Sequence, residues 1–210
     1  MTFMFPKNNY LGKFIVFEGL DGSGQTTQAN LLKEFLEKNG FKVFLTKEPT
    51  KNSPAAKKIE KVLKKKIKIS PFKLQKLFAK DRNWHLKKEI IPSLKKGKIV
   101  ICDRYFFSSF AYGASEGLSL RHLIKLNQNF LLPDLTFILK VSPKECIKRI
   151  KKRGEGFRLF EKEKKLKKVW KYYQNFPKMF KNVKIINGEG KIKEVFERIK
   201  KVYRNTIEIQ

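Results

Sequence analysis

The segment Gly19-Leu20-Asp21-Gly22-Ser23-Gly24-Gln25-Thr26-Thr27 constrains the chain more than any other. Before it, residues 13–18, KFIVFE, form a short β-branched and aromatic run that reads as a buried strand. After it, residues 26–39 carry a helical pattern with Ala29, Leu32, Phe35 and Leu36 on one face and Gly40 as the stop. Strand, glycine-rich loop and helix in this order match the phosphate-loop template G-x-x-x-x-G-K-[ST] at Gly19, Gly24 and Thr26. The glycines let backbone N–H groups converge on phosphate oxygens, and the helix N-terminus adds partial positive charge. Residues 19–27 are the expected phosphate cradle, with the Thr26 hydroxyl offered to Mg²⁺. The template's lysine is Gln25 here. Glutamine keeps a donor and loses the charge, and a charge-assisted hydrogen bond is roughly twice as strong as a neutral one. One of the chain's many other cations can fill that gap.

The rest of the chain repeats the alternation of strand and helix. Residues 41–46, 98–102, 135–141 and 183–186 read as strands. Helical patterns cover 55–65, from Ser70-Pro71 to about 86 and on toward 91, 120–130, from Ser142-Pro143 onward, 160–175 and 191–204. Strands alternating with helices predict an α/β fold, a parallel sheet covered on both faces. No repeat, linker or composition break divides the 210 residues, so a single domain over 1–210 is expected.

Composition narrows the function classes. Cys102 and Cys146 are too few for a disulfide framework, which suits a reducing, cytoplasmic setting. No apolar run approaches the roughly 20 residues that span a bilayer, and no signal peptide is read at the start. The net charge of +30 favours anionic partners. It is mostly lysine and is densest over 140–184, where 17 Lys or Arg meet 4 Glu at the spacing of helices with solvated faces. With no nucleic-acid-binding signature, neither a membrane nor a nucleic acid is the expected partner. His85 and His122 lack a third ligand at metal spacing and read as packing or surface residues.

Two further constellations carry chemistry. Asp103 and Arg104 directly follow the third strand: a carboxylate there can hold Mg²⁺ or a sugar hydroxyl, and the guanidinium can grip a phosphate. Phe78 and Arg82 lie four residues apart on one helical face, where a ring can stack on a base and an arginine can donate to a carbonyl oxygen. The bland alternative for this pair is a core phenylalanine beside a surface arginine.

Taken together, these residues resemble the thymidylate kinase family of P-loop nucleoside monophosphate kinases. The resemblance runs from Phe14 to about Arg204 and rests on 17–24 (FEGLDGSG), 46–49 (TKEP), 77–82 (LFAKDR), 103–112 (DRYFFSSFAY) and 133–136 (PDLT). It implies a three-layer P-loop NTPase fold, a five-stranded parallel sheet in the order 2-3-1-4-5 with helices on both faces. It implies transfer of the γ-phosphoryl group of ATP to dTMP, with Mg²⁺, by a homodimer. Carried over by motif, Phe78 stacks on thymine and Arg82 bonds its O4, while Lys47 and Arg104 bind the dTMP phosphate. Asp21 helps to position the phosphates, and Asp103 with Thr26 serves the metal. Tyr112 packs by the deoxyribose and Ser109 lines the base pocket. Residues 149–161 match the family's lid, with Arg149, Arg153 and Arg158 as candidates for the ATP phosphates.

The chain departs from the family pattern at several places. Gln25 replaces the loop lysine, and Lys47 stands where arginine is usual, a point charge in place of a bidentate fork. Thr50 and Lys51 replace glycines, Gly113 stands where bacterial members often carry glutamine, and the lid is one residue out of register. Two other readings stay open: a kinase for another pyrimidine monophosphate, since UMP and dUMP share the 4-oxo group, and a catalytically weak relative that binds nucleotide or nucleic acid.

Overall fold

The computed structural model describes residues 4–154 and 162–207. Five strands, β1 (Phe14–Gly19), β2 (Val43–Lys47), β3 (Ile99–Asp103), β4 (Leu135–Lys140) and β5 (Val183–Asn187), form one parallel sheet in the order β2-β3-β1-β4-β5. β1, β3 and β4 are buried almost end to end, as a sheet covered on both faces requires.

Alternation along β1 divides the core in two. Ile15 and Phe17 point to the face covered by α1 (Gln25–Lys38) and α10 (Ile192–Thr206), through Leu32, Leu36, Val195 and Ile199. Phe14 and Val16 point to the other face. It is covered by α3 (Pro71–His85), α4 (Ile91–Lys95), α5 (Phe106–Ser115), α6 (Leu120–Asn127) and α8 (Glu163–Tyr173). These are the three layers expected. α2 (Ala56–Leu63) packs on α3, α7 (Pro143–Arg153) follows β4, and α9 (Phe176–Met179) leads into β5. No described helix is long and apolar enough to cross a membrane.

Three elements differ from the sequence expectation. The helix opened by Ser70-Pro71 stops at His85, and residues Leu86–Ile90 form a π-helical turn before α4. Pro92 gives the reason: its ring lacks an N–H and clashes with the carbonyl four residues back, at Lys88, so the wider turn absorbs it. The 160–175 pattern breaks at Tyr173, with a separate turn of helix at Phe176–Met179. Residues 106–115, given no element from sequence, are α5. That helix is buried nearly all round, so it has no polar face to set a period. Phe107 packs against Phe106, Phe110, Phe176 and Phe180 with ring centroids 4.7 to 5.9 Å away.

Candidate active site

All five strands point the same way, so their carboxyl ends meet at one edge. β1 lies between β3 and β4, and the crevice of a parallel α/β sheet opens where the strand order reverses. A cavity of about 420 Å³ opens there. Five cations line it, Lys47, Arg82, Arg104, Arg149 and Arg153, against three carboxylates, Asp21, Glu48 and Asp103. The excess suits an anionic ligand.

The loop between β1 and α1 supplies one wall. Gly22 has φ 85°, and a Cβ there would lie 2.6 Å from the Cys146 carbonyl, so position 22 admits glycine alone. Gly24 also has φ 94° and hands the chain to α1, whose first residues Gln25, Thr26 and Thr27 line the cavity. Gln25 is 5% exposed; its Nε2 donates to the Gly19 carbonyl at 3.2 Å. The Thr26 hydroxyl donates to Asp103 Oδ2 at 2.5 Å. The Ser23 hydroxyl is buried in the loop with no hydrogen-bond partner among the described residues.

Asp103 and Arg104 end β3. Lys47 Nζ lies 3.5 Å from Asp103 Oδ2, so the ends of β2 and β3 share a charge pair. Arg104 has φ 75°, a strained conformation for a bulky residue, held by its N–H donating to the Phe17 carbonyl at 2.8 Å. The turn sends its guanidinium back over the phosphate loop. Nη1 donates to Gly19 O and Ser108 Oγ, each at 3.1 Å. Nη2 donates to Asp21 Oδ1 at 2.8 Å and to Gln25 Oε1 at 3.0 Å. Burial opposes the charge of Arg104, and the groups around it, Asp21 first and then Tyr112, Tyr173 and Asp103, together more than offset that. Tyr112 donates to Asp21 Oδ2 at 3.0 Å; burial and then Asp21 push its phenol well up, so it stays a neutral donor.

Beneath this turn sits Glu18, fully buried. Oε1 accepts from the N–H groups of Tyr105 and Ser108 at 2.9 and 3.0 Å, and Oε2 from the hydroxyls of Ser108 and Tyr173 at 2.6 and 2.8 Å. Burial raises its pKa, against the pull of Arg104 and these donors.

The other wall comes from α3. Phe78 and Arg82 both line the cavity, yet burial inverts the bland reading: Arg82 is 2% exposed. Its Nε and Nη2 donate to Glu48 Oε2 at 2.9 and 2.8 Å, its Nη1 to Asn127 Oδ1 at 2.5 Å, and its Nη2 reaches Ser109 Oγ at 3.4 Å. His85 is fully buried, with Nδ1 3.2 Å from Glu48 Oε1 and Nε2 2.7 Å from Thr46 Oγ1.

From α7, Arg149 and Arg153 line the same cavity, and Arg149 Nη1 donates to the Ser23 carbonyl at 3.4 Å. Arg158 lies outside the described residues, as do 155–161 of the lid segment. Of the other expected residues, Gly22, Gly24, Gln25, Thr26, Thr27, Ser109 and Tyr112 line the cavity; Gly19, Leu20 and Ser23 form the loop behind it. Cys102 is buried and its thiol pushed well up by burial, so it is an inert core residue. Sequence reasoning assigned no role to Glu48, Glu18, Asn127 or Tyr173, and read His85 as ordinary packing. Only Glu18 and Glu48 had a signal: one is a carboxylate within the end of β1 and the other directly follows β2, and both strand ends carry other site residues.

The donor set fits Mg²⁺. Among the described residues no group of three or more His, Cys, Asp or Glu could hold a metal ion by itself, and at the loop Thr26 Oγ1 and the Asp103 carboxylate bring hard oxygens together. A magnesium site built from one or two protein oxygens plus substrate phosphates needs no more.

Comparison with known proteins finds the same theme. The family model for thymidylate kinase matches residues 17–199. A probable thymidylate kinase of Pyrococcus abyssi is 45% identical over 195 residues, 90% of this chain and 94% of the relative. The thymidylate kinase of Caldicellulosiruptor saccharolyticus is 38% identical over 91% of this chain and 95% of its own length. A probable thymidylate kinase of Archaeoglobus fulgidus is 34% identical over 93% and 97%.

Proposed function

The chain belongs to the thymidylate kinase family, and on that premise we propose that it phosphorylates dTMP to dTDP with ATP and Mg²⁺. The observation that carries this is the pairing, in one cavity, of a phosphate loop with a buried arginine beside a partly buried phenylalanine. A site that only bound nucleotide would need the loop and no acceptor pocket.

The reaction needs little covalent help from protein. An acceptor phosphate oxygen forms a bond to the γ-phosphorus as the bond to the β-bridging oxygen breaks, and ADP leaves. The acceptor phosphate, with a second pKa near 6, is already largely ionised at neutral pH, so no general base is required. What remains is positioning and neutralisation of charge. In this reading Lys47 and Arg104 take the acceptor phosphate, Arg104 by its charge, which from its place over the phosphate loop also faces the ATP phosphates held by the loop N–H groups. Thr26 and Asp103 would hold Mg²⁺, which when bound neutralises charge on the transferring group. Phe78 offers its face to the base and Arg82 a donor to O4. Glu48 and Asn127 fix that donor, and Ser109 lines the pocket beside it. Tyr112, tied to Asp21, packs against the sugar. Arg149, Arg153 and Arg158 are the lid cations of the same proposal. A single domain acting as a cytoplasmic homodimer goes with it, and light scattering in solution checks the dimer.

Steady-state turnover with ATP and Mg²⁺ on dTMP, dUMP, UMP, dCMP and dGMP tests the function. The highest kcat/KM is expected for dTMP, and lower values for dCMP, whose 4-amino group meets a donor where a donor already stands. Preference for a cytosine or purine monophosphate would contradict it.

A further inference from the structure

We propose that Gln25 is a positioning residue that fixes Arg104 at the phosphate loop, so that the loop's cation comes from the end of β3. The proposal rests on the kinase reading above. Both ends of the buried Gln25 amide are engaged: Nε2 donates to the Gly19 carbonyl at 3.2 Å and Oε1 accepts from Arg104 Nη2 at 3.0 Å. Arg104 Nη1 donates to that same Gly19 carbonyl at 3.1 Å. The amide and the guanidinium therefore converge on one backbone oxygen at the start of the loop. Lysine has three donors and no acceptor, so at position 25 it could make the first of these bonds and not the second. Glutamine makes both.

The clamp on Arg104 is complete at its terminal nitrogens. Gly19 O and Ser108 Oγ accept from Nη1, and Asp21 Oδ1 and Gln25 Oε1 from Nη2. A guanidinium held by four acceptors has one orientation, and it does not lose its proton. The left-handed backbone of Arg104 aims the side chain at the loop in the first place. Arg149 approaches from α7, yet it meets the loop through a single contact of 3.4 Å and its side chain is 32% exposed. Of the two, Arg104 is the fixed cation.

The test is a titration of the full chain with Mg²⁺ and a non-hydrolysable ATP analogue, by calorimetry. Gln25→Met keeps the length and removes both hydrogen bonds. It is expected to weaken binding about tenfold or more, the worth of a hydrogen bond to a charged group. Arg104→Met is expected to weaken it at least as much, and the double variant no further, because the amide acts only through the guanidinium. In the Arg104→Met background, Gln25→Lys is expected to recover part of the lost affinity by returning an ammonium to the Gly19 carbonyl. Thermal melts check folding, and Arg104→Lys, which keeps the charge and loses the fork, replaces Arg104→Met if that chain does not fold. With it, Gln25→Met is again expected to add nothing. Fully additive losses would overturn the proposal, as would a Gln25→Met chain within about twofold of wild type. So would a Gln25→Lys chain, otherwise wild type, that binds the analogue tighter. No arm needs an acceptor, so failure to phosphorylate dTMP would sink the function while the titrations still decide the role of Gln25.

Discussion

Glu48 decides where Arg82 points. The arginine is buried and donates twice to one carboxylate oxygen, while His85 holds the other. Glu48→Gln removes the charge and leaves the shape. We expect KM for dTMP to rise about ten- to a hundredfold, the worth of a charge-assisted bond, with KM for ATP little changed. Separate saturation curves for the two substrates check this. Glu18 gives a pH signature. Burial raises its pKa, so the folded chain holds that proton more tightly than the unfolded chain does. Its contribution to stability is therefore largest below the ordinary carboxylate pKa and falls as pH rises through the raised one. Urea unfolding of wild type and Glu18→Gln should show the wild type losing relative stability from acid to neutral pH. A difference that is flat with pH would contradict the assignment. At this scale the phosphate loop was legible because its chemistry is local: nine consecutive residues and their flanks carry it. The Arg82 clamp was not, because its partners stand 34, 45 and 27 residues away and no spacing rule links them.

Among the elements, α5 matters most to the site, since Ser108, Ser109 and Tyr112 all project from it. Its hold on the sheet is aromatic. Phe107 is fully buried against four other rings, and Phe107→Ala should cost about 3–5 kcal/mol in chemical denaturation. Gly113 faces the opposite problem. A Cβ there would meet Leu123 at 2.9 and 3.0 Å and the Gln75 side chain at 3.3 Å. Gly113→Ala should destabilise by about 1–3 kcal/mol through overpacking. The strands and the amphipathic helices were legible from their periods of 2 and 3.6. The fully buried α5 had no such period, and the π-helical turn before α4 reflects a proline clash that a hydrophobic pattern does not record.

For the whole molecule, sheet order and charge set the terms. The order β2-β3-β1-β4-β5 brings Gly19, Lys47 and Asp103 from three separate strands to one edge. Strand alternation in the sequence implied a parallel sheet; the order came only from the family resemblance, because pairing depends on contacts between distant segments. The net charge of +30 surrounds a cavity that itself carries more cations than carboxylates. Anionic substrates should be steered into it. Accordingly kcat/KM for dTMP should fall as salt is raised from about 0.01 M to about 1 M, where the screening length shrinks from about 30 Å to about 3 Å. A kcat/KM indifferent to salt would mean that the surface charge plays no part in capture. The most direct measurement follows the phosphoryl group itself. With ATP labelled at the γ-phosphate, Mg²⁺ and dTMP, the label should appear in the β-phosphate of dTDP, in step with ADP. Label found only in inorganic phosphate, or left in ATP, would contradict phosphoryl transfer to dTMP by this chain.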